Sequence, residues 1–459
     1  MNNELNSFLA NEMNEISRYK TLFFVSNAGD DRSASGVAST IRPLQARLGG
    51  DWVSISDINN NATKGLENSE SQLFDEYNRF CNQGLWPLCH DLFVKPVFEE
   101  VDFKAYKNVN QRFADAIFQK NQGCDAPLIF IHDYHLALLP ELLRKVIPRA
   151  VIISFWHIPW PSLEQLQHCA WAGQLVQSLA NSNNLGFQTK TDSIRFHQAL
   201  KEFLPDHEQI QFQSPHISNY PATVRWPIVN KNPTQTIDPL KEISNLYQLN
   251  TQLILGLSVD RFDYIKGITE RLHSIEVLYA SRPDLKENLV FLQICISTRS
   301  AIREFSDYEE SVRKQIDRIN QKLSTKTWTP IILITQELDN NLLTQYYKAA
   351  DFLLVSSLRD GMNLVAKEFI AAREDEMGIL VLSKYAGASE ELKDAIIFDP
   401  TDLQSSIDAL NTAINMHSNE TYMRMLSLRK HIYENDIYRW AKKQVMDAKK
   451  IDCLAIELS

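Results

Sequence analysis

The chain has no apolar run near the roughly 18 residues needed to cross a membrane. Its longest stretches, such as Ala150 to Trp156 and Asn288 to Ile296, stop far short. It has no paired cysteines either: Cys81, Cys89, Cys124, Cys169, Cys295 and Cys453 are scattered without a CxxC spacing. That pattern signals neither a disulfide framework nor a zinc knuckle, and the thiols read as reduced packing residues. No Gly-rich dinucleotide fingerprint and no phosphate-binding P-loop follows any candidate strand. Internal repeats and low-complexity tracts are missing. Positive charge is in deficit, with 47 Lys plus Arg against 57 Asp plus Glu and a net charge of -10. This balance argues against nucleic acid or an anionic membrane as partner, so any anionic ligand needs a local basic cluster. The first residues, MNNELNSFLANEMNEISRYK, place Glu4, Glu12 and Glu15 where a secretory signal would carry a basic start and an apolar run. The expectation is a cytoplasmic protein.

What is present is an ordinary globular composition, 44% apolar and 23% charged over 459 residues, enough for about two to four domains of roughly 100 to 200 residues each. Short β-branched and aromatic runs recur at Thr21 to Ser26, Trp52 to Ser56, Leu128 to His132, Val151 to His157 and Leu185 to Thr189. Helical patterns at Phe103 to Lys120, Leu136 to Val146, Ser162 to Leu179 and Thr191 to Leu204 alternate with them, which predicts a parallel sheet with crossover helices. The second half repeats this grammar with strands at Leu253 to Val259, Leu289 to Ser297, Ile331 to Thr335, Phe352 to Ser356, Ile379 to Leu382 and Ala395 to Phe398. Helices at Ser405 to Asn415, Tyr422 to Glu434 and Tyr438 to Ala448 follow. The polar, proline-bearing segment Asn230 to Pro239 reads as a linker, and two α/β domains joined there would face each other across a cleft. Ligands of open α/β sheets bind beyond the carboxyl ends of the strands, so the residues after each strand are the ones to weigh.

After the strand at Leu253 comes VDRFDYIKG, with Arg261 and Lys266 on a strand-to-helix loop. Two cations there suit the charge that develops on a departing diphosphate, or they are a pair of solvated surface charges. SSLRDGMNLVAKEF follows the strand at Phe352 and opens a helix near Gly361, where the N–H groups of Met362 through Val365 would form an anion site. Asp360 at its mouth could accept from sugar hydroxyls. Glu368, about two turns along the same face, could accept from a ribose. Their plainer roles are a helix N-cap for Asp360 and a solvated position for Glu368. In IFIHDYHLALLPELL a buried strand ends in His132, Asp133, Tyr134 and His135, a site-like cluster without the partners of a metal centre. ISFWHIPWPS puts His157 after a strand, where a packed histidine is also common.

Taken in order, YNRFCNQGLWP, HDYHLALLPELLR, FWHIPWPS, NLGFQT, VDRFDYIKGITERL, TWTPIILITQ, LRDGMNLVAKEF and LSKYAGASEEL resemble the trehalose-6-phosphate synthase family of retaining glycosyltransferases, from about Thr21 to Trp440. The resemblance implies a GT-B fold. It places an acceptor-binding Rossmann-like domain at 1–235, a nucleotide-sugar-binding domain at 236–436, and a last helix at about 437–459 that crosses back to the first. It also implies transfer of glucose from a nucleotide-glucose donor to a phosphorylated acceptor, with no metal or other cofactor. Arg261 and Lys266 would hold the diphosphate and Glu368 the ribose. Asp360 with Met362 and Asn363 would hold the glucose hydroxyls, and the backbone of Leu364 and Val365 the phosphate. Gly36 belongs to the donor loop, His157 would contact the donor glucose, and Asp133 would orient the attacking hydroxyl. These motifs show no carboxylate pair like that of a retaining glycosidase, and the resemblance instead implies front-face attack.

Acceptor contacts by resemblance are Trp52, Tyr77, Trp86 and Arg299. The family usually reads Ser-Asn-Arg after the first strand, whereas this chain has Ser26, Asn27 and Ala28, and SASG at Ser33 to Gly36 replaces a usual Gly-Gly pair. Arg32 is a candidate substitute cation. Three readings follow: a trehalose-6-phosphate synthase, a glucosylglycerol-phosphate synthase using glycerol 3-phosphate, and a non-catalytic sugar-phosphate sensor. A homo-oligomer is compatible with each.

Overall fold

The computed structural model describes residues 15–29, 36–59, 67–204, 215–226, 238, 241, 245 and 253–457. The chain forms two compact units, one of Met1–Arg225 with Asp436–Ser459 and the other of Trp226–Asn435. The proposed linker lies outside the described residues, Asp238 excepted.

The first unit holds β1 (Leu22–Val25), β2 (Asp51–Val53), β3 (Leu128–His132), β4 (Val151–Phe155), β5 (Asn184–Phe187) and β6 (His216–Asn219), all parallel in the order β2-β1-β3-β4-β5-β6. LFFV, LIFIH and VIISF are buried throughout. Continuous burial, without alternation, is what a parallel sheet covered on both faces demands. The strand order reverses between β1 and β3, so their carboxyl ends frame the crevice where such sheets bind ligands.

The helix Ile437–Glu457 belongs to this unit. Its Trp440 meets Phe155 edge-on at 4.8 Å and donates through Nε1 to the Tyr220 carbonyl at 3.0 Å. Tyr220 in turn donates its hydroxyl to Asp447 at 2.9 Å. Gly186 makes this approach possible, since a Cβ there would come within 2.6 Å of the Phe155 ring and 3.0 Å of Gln444 Oε1.

The second unit holds β7 (Ile254–Arg261), β8 (Leu289–Ile296), β9 (Ile331–Ile334), β10 (Phe352–Val355), β11 (Ile379–Ser383) and β12 (Ile396–Phe398), parallel in the order β12-β11-β10-β7-β8-β9. Here the reversal falls between β7 and β10. With these two sheets the fold class is α/β of the GT-B type.

The stretch Ser162 to Leu179, expected as one helix, is two: Leu163–Leu166 and Ala172–Leu179. The turn between them stacks Trp171 on Phe103 at 4.4 Å, and its edge meets Phe80. Among the described residues no helix is long and apolar enough to cross a membrane.

Candidate active site

In the second unit the loops after β7 and β10 are laced together. Asp263 caps a short turn by accepting from the Ile265 N–H at 3.3 Å, and Gly267 then takes a left-handed φ of 61° to start the helix Ile268–Ser281. A Cβ on Gly267 would sit 2.2 Å from the Ser356 carbonyl, so only glycine permits this contact. Ser356 Oγ lies 3.0 Å from the Lys266 carbonyl and 3.1 Å from that of Gly267.

This lacing places Lys266 Nζ 2.6 Å from Asp360 Oδ2. The same oxygen accepts from Ser357 Oγ and Asn363 Nδ2, each at 3.1 Å. Asn363 adopts φ 78°, and its Oδ1 caps the Ala366 N–H at 3.1 Å, which begins the helix Leu364–Ala372. The helix expected near Gly361 therefore opens three residues later, and Asn363, not Asp360, is its N-cap. A non-glycine residue held left-handed at a strand-to-helix loop is the kind of strain that collects at functional sites.

A second cluster lies beside the first. Asp263, 0% exposed, faces Arg261 Nη2 at 3.4 Å and Arg299 Nη1 at 3.3 Å through one carboxylate oxygen. Arg299 also has a left-handed φ of 58°, and its guanidinium covers the Phe305 ring at 5.2 Å. Asp263 thus brings together two arginines that lie far apart in sequence.

Glu368 is half-buried and accepts from the Tyr347 hydroxyl at 3.1 Å. Burial pushes its carboxyl up to about 7. Below the loops, Arg271 joins Asp260 at 2.8 Å and Ser356 Oγ at 2.9 Å. Lys367, 1% exposed, pairs with Glu391, whose other oxygen meets His431 Nε2 at 2.9 Å. Sequence reasoning missed Asp260, Asp263, Arg271 and Glu391.

In the first unit the predicted residues gather at the carboxyl ends of β1, β3 and β4. Trp52 Nε1 donates to Ser26 Oγ at 2.8 Å, and Ser26 Oγ donates to the Ala28 carbonyl at 2.6 Å. Tyr77, buried and stacked on Tyr106, donates to Asn27 Oδ1 at 2.9 Å. Trp86 is buried with its ring 5.9 Å from that of Tyr134. Asp133 holds φ 75°, and its Oδ1 accepts from the His157 backbone N–H at 3.2 Å. His157 Nε2 lies 3.0 Å from His132 Nδ1. Gly36 opens the helix Gly36–Leu48, while Arg32, Ser33 and Ser35 lie outside the described residues. Among the described residues no group of three or more His, Cys, Asp or Glu could hold a metal ion.

Chemically, the second unit offers three cations at its switch point, a carboxylate that gathers donors, and a helix start. That set can hold an anionic leaving group and a polyhydroxylated ring. Residues 26–450 match the model of the family described as Glycosyltransferase family 20. A trehalose-6-phosphate synthase of Mycobacterium sp. (strain KMS) is 30% identical over 438 residues, 90% of this chain and 88% of that protein. An E. coli trehalose-6-phosphate structure bound with UDP-2-fluoro glucose superposes with a TM-score of 0.82 at 29% identity, covering 94% of this chain and 99% of that one. The α,α-trehalose-phosphate synthase (UDP-forming) of Burkholderia xenovorans, solved in complex with glucose-6-phosphate, gives 0.80 at 26% identity over 94% and 100%.

Proposed function

The chain belongs to glycosyltransferase family 20, and from that premise we propose that this glycosyltransferase moves glucose from UDP-glucose to glucose 6-phosphate, giving trehalose 6-phosphate with the α configuration kept. The observation that carries the reading is Lys266 set 2.6 Å from Asp360 at the β7/β10 reversal. The pair offers a cation to a diphosphate and an acceptor to the glucose hydroxyls. Arg261 supplies a second positive charge to the diphosphate. Glu368 accepts from the ribose, and the first turn of Leu364–Ala372 directs N–H groups at phosphate.

In the reaction an acceptor hydroxyl oxygen attacks C1 of the donor glucose as the bond from C1 to the diphosphate oxygen breaks. The hydroxyl proton passes to the leaving diphosphate. Arg261 and Lys266 stabilise the charge that grows there, so the chemistry rests on positioning and preorganised electrostatics, and no metal is needed. Asp133 orients the acceptor, Trp52, Tyr77 and Trp86 shape its site, and Arg299 holds its phosphate. UDP as the nucleotide is supported by the UDP-forming names and the UDP-sugar complex among the relatives.

One observation favours a second acceptor. Ala28 stands where the family usually carries an arginine, which removes a charge-assisted contact to the phosphate. Glycerol 3-phosphate is therefore the alternative. The test crosses UDP-, ADP- and GDP-glucose with both acceptors and reads products by mass. Trehalose phosphate from UDP-glucose is expected. Product with glycerol 3-phosphate alone would overturn the acceptor, and product with neither would overturn the reading.

A further inference from the structure

His132 ends β3 with no exposed surface, and its ring lies in an aromatic box. Phe130 and Trp440 each stack with it at 6.4 Å. Its Nδ1 meets His157 Nε2 at 3.0 Å, while its own Nε2 is buried without a hydrogen-bond partner. His157 is packed edge-on to Phe155 at 4.7 Å and is only half-buried.

Two neutral imidazoles in N-to-N contact share one proton, and only two arrangements exist. In one, His132 carries its proton on Nδ1 and donates to His157, leaving a bare lone pair at the buried Nε2. In the other, His157 donates, and His132 must bury an N–H that bonds to nothing. Orphaned buried N–H groups are the rarer defect in folded proteins, so the first arrangement wins. Charging the pair is no escape: burial lowers His132 to about 3 and His157 well below its ordinary value.

We propose that His132 is a positioning residue that fixes the tautomer of His157, so that His157 accepts at Nε2 and presents a protonated Nδ1 as a hydrogen-bond donor to a hydroxyl oxygen of the bound sugar. The tautomer follows from unit-one geometry alone. Its use on sugar rests on the glucosyl-transfer reading above. The device resembles the way a buried second group sets which nitrogen of a functional histidine is protonated.

The test uses the full chain labelled with 15N-histidine, with the His157 signals identified by their loss in His157→Gln. Two-bond proton–nitrogen spectra at pH 7.5 are expected to show His157 protonated at Nδ1. His132→Phe keeps the ring volume but removes the donor, and it should give a mixed tautomer and about a tenfold loss in kcat/KM for UDP-glucose. His132→Asn puts an amide N–H where Nδ1 was, and it should recover the Nδ1–H tautomer and most of that loss. A His157 protonated at Nε2 in the parent chain overturns the proposal, as does a pure Nδ1–H tautomer retained in His132→Phe. The expected tautomers in a chain that transfers glucose to no acceptor would support the proposal and overturn the functional reading instead.

Discussion

Glu368 ties the cost of a buried charge to donor binding. Its carboxyl is pushed up to about 7 from an ordinary 4.5 by burial. At about 1.4 kcal/mol per pKa unit, that displacement sets a ceiling of about 3 kcal/mol. Partial exposure leaves about 1–2 kcal/mol as the cost of keeping it ionised in the fold. The sign follows from linkage. A carboxyl whose folded pKa is raised costs nothing below about 4.5, costs progressively more between 4.5 and 7 as the unfolded chain ionises and the folded chain does not, and costs its full amount above 7. Glu368→Gln should therefore stabilise the ligand-free protein at pH 8.5 and not at pH 4.5. For a unit of about 200 residues, each kcal/mol moves Tm by about 2–4 °C, so the expected gain is about 2–8 °C at the higher pH. The same variant loses a charged acceptor for the ribose, worth about 1.5–3 kcal/mol, and should bind UDP about 10- to 150-fold more weakly. Differential scanning calorimetry at the two pH values and titration calorimetry with UDP read both effects. A stability gain of equal size at both pH values would refute the burial argument, and unchanged UDP affinity would refute the ribose contact.

Arg261→Ala and Lys266→Ala should each lower kcat at least about 100-fold, beyond any loss in the thermal melt from unpairing Asp263 or Asp360, since their charge acts mainly on the transition state; near-normal turnover in both variants would remove the diphosphate assignment. Activity should survive exhaustive dialysis against EDTA, and a loss restored by a divalent ion would contradict the side-chain cation scheme. Arg299→Ala should raise KM for glucose 6-phosphate about 10- to 150-fold, the worth of one charge-assisted phosphate contact. Ala28→Arg should lower that KM or leave it unchanged, and an increase would place residue 28 away from the acceptor phosphate.

The strands were legible because buried parallel strands are written as unbroken apolar runs. Leu128–His132 is found at its expected limits, and the other expected strands are found within about two residues at each end, except Trp52 to Ser56, which ends three residues early at Val53 because Ile55–Asn59 is helical. β6 escaped because HISN carries no such run: all four residues are half-buried, and the strand lies at the sheet edge beside β5. The segment Phe80–Leu85 winds as a π-helix, a form that no hydrophobic period announces. Gly84 fits there because Phe98 packs where its side chain would be, at 2.5 Å from an added Cβ.

The site was legible where topology does the selecting. Arg261 ends β7, and Lys266, Asp360 and Asp133 follow strands that frame a reversal of strand order; carboxyl ends of strands can be singled out before any coordinate is known. The buried carboxylates were not, for a physical reason. Charged residues are placed on the surface by default, and they enter an interior only with a partner whose position depends on the tertiary fold. Arg271 reaches Ser356 across 85 residues, and Arg299 reaches Asp263 across 36. One local sign existed for Asp263. It stands between Phe262 and Tyr264, both buried, inside the loop that carries the two cations. A carboxylate flanked by buried aromatics and followed two residues later by the N–H it caps must point inward. Once inside, only a cation can balance it. The arginines at 261 and 299 are thus gathered by a residue whose own burial compels the pairing.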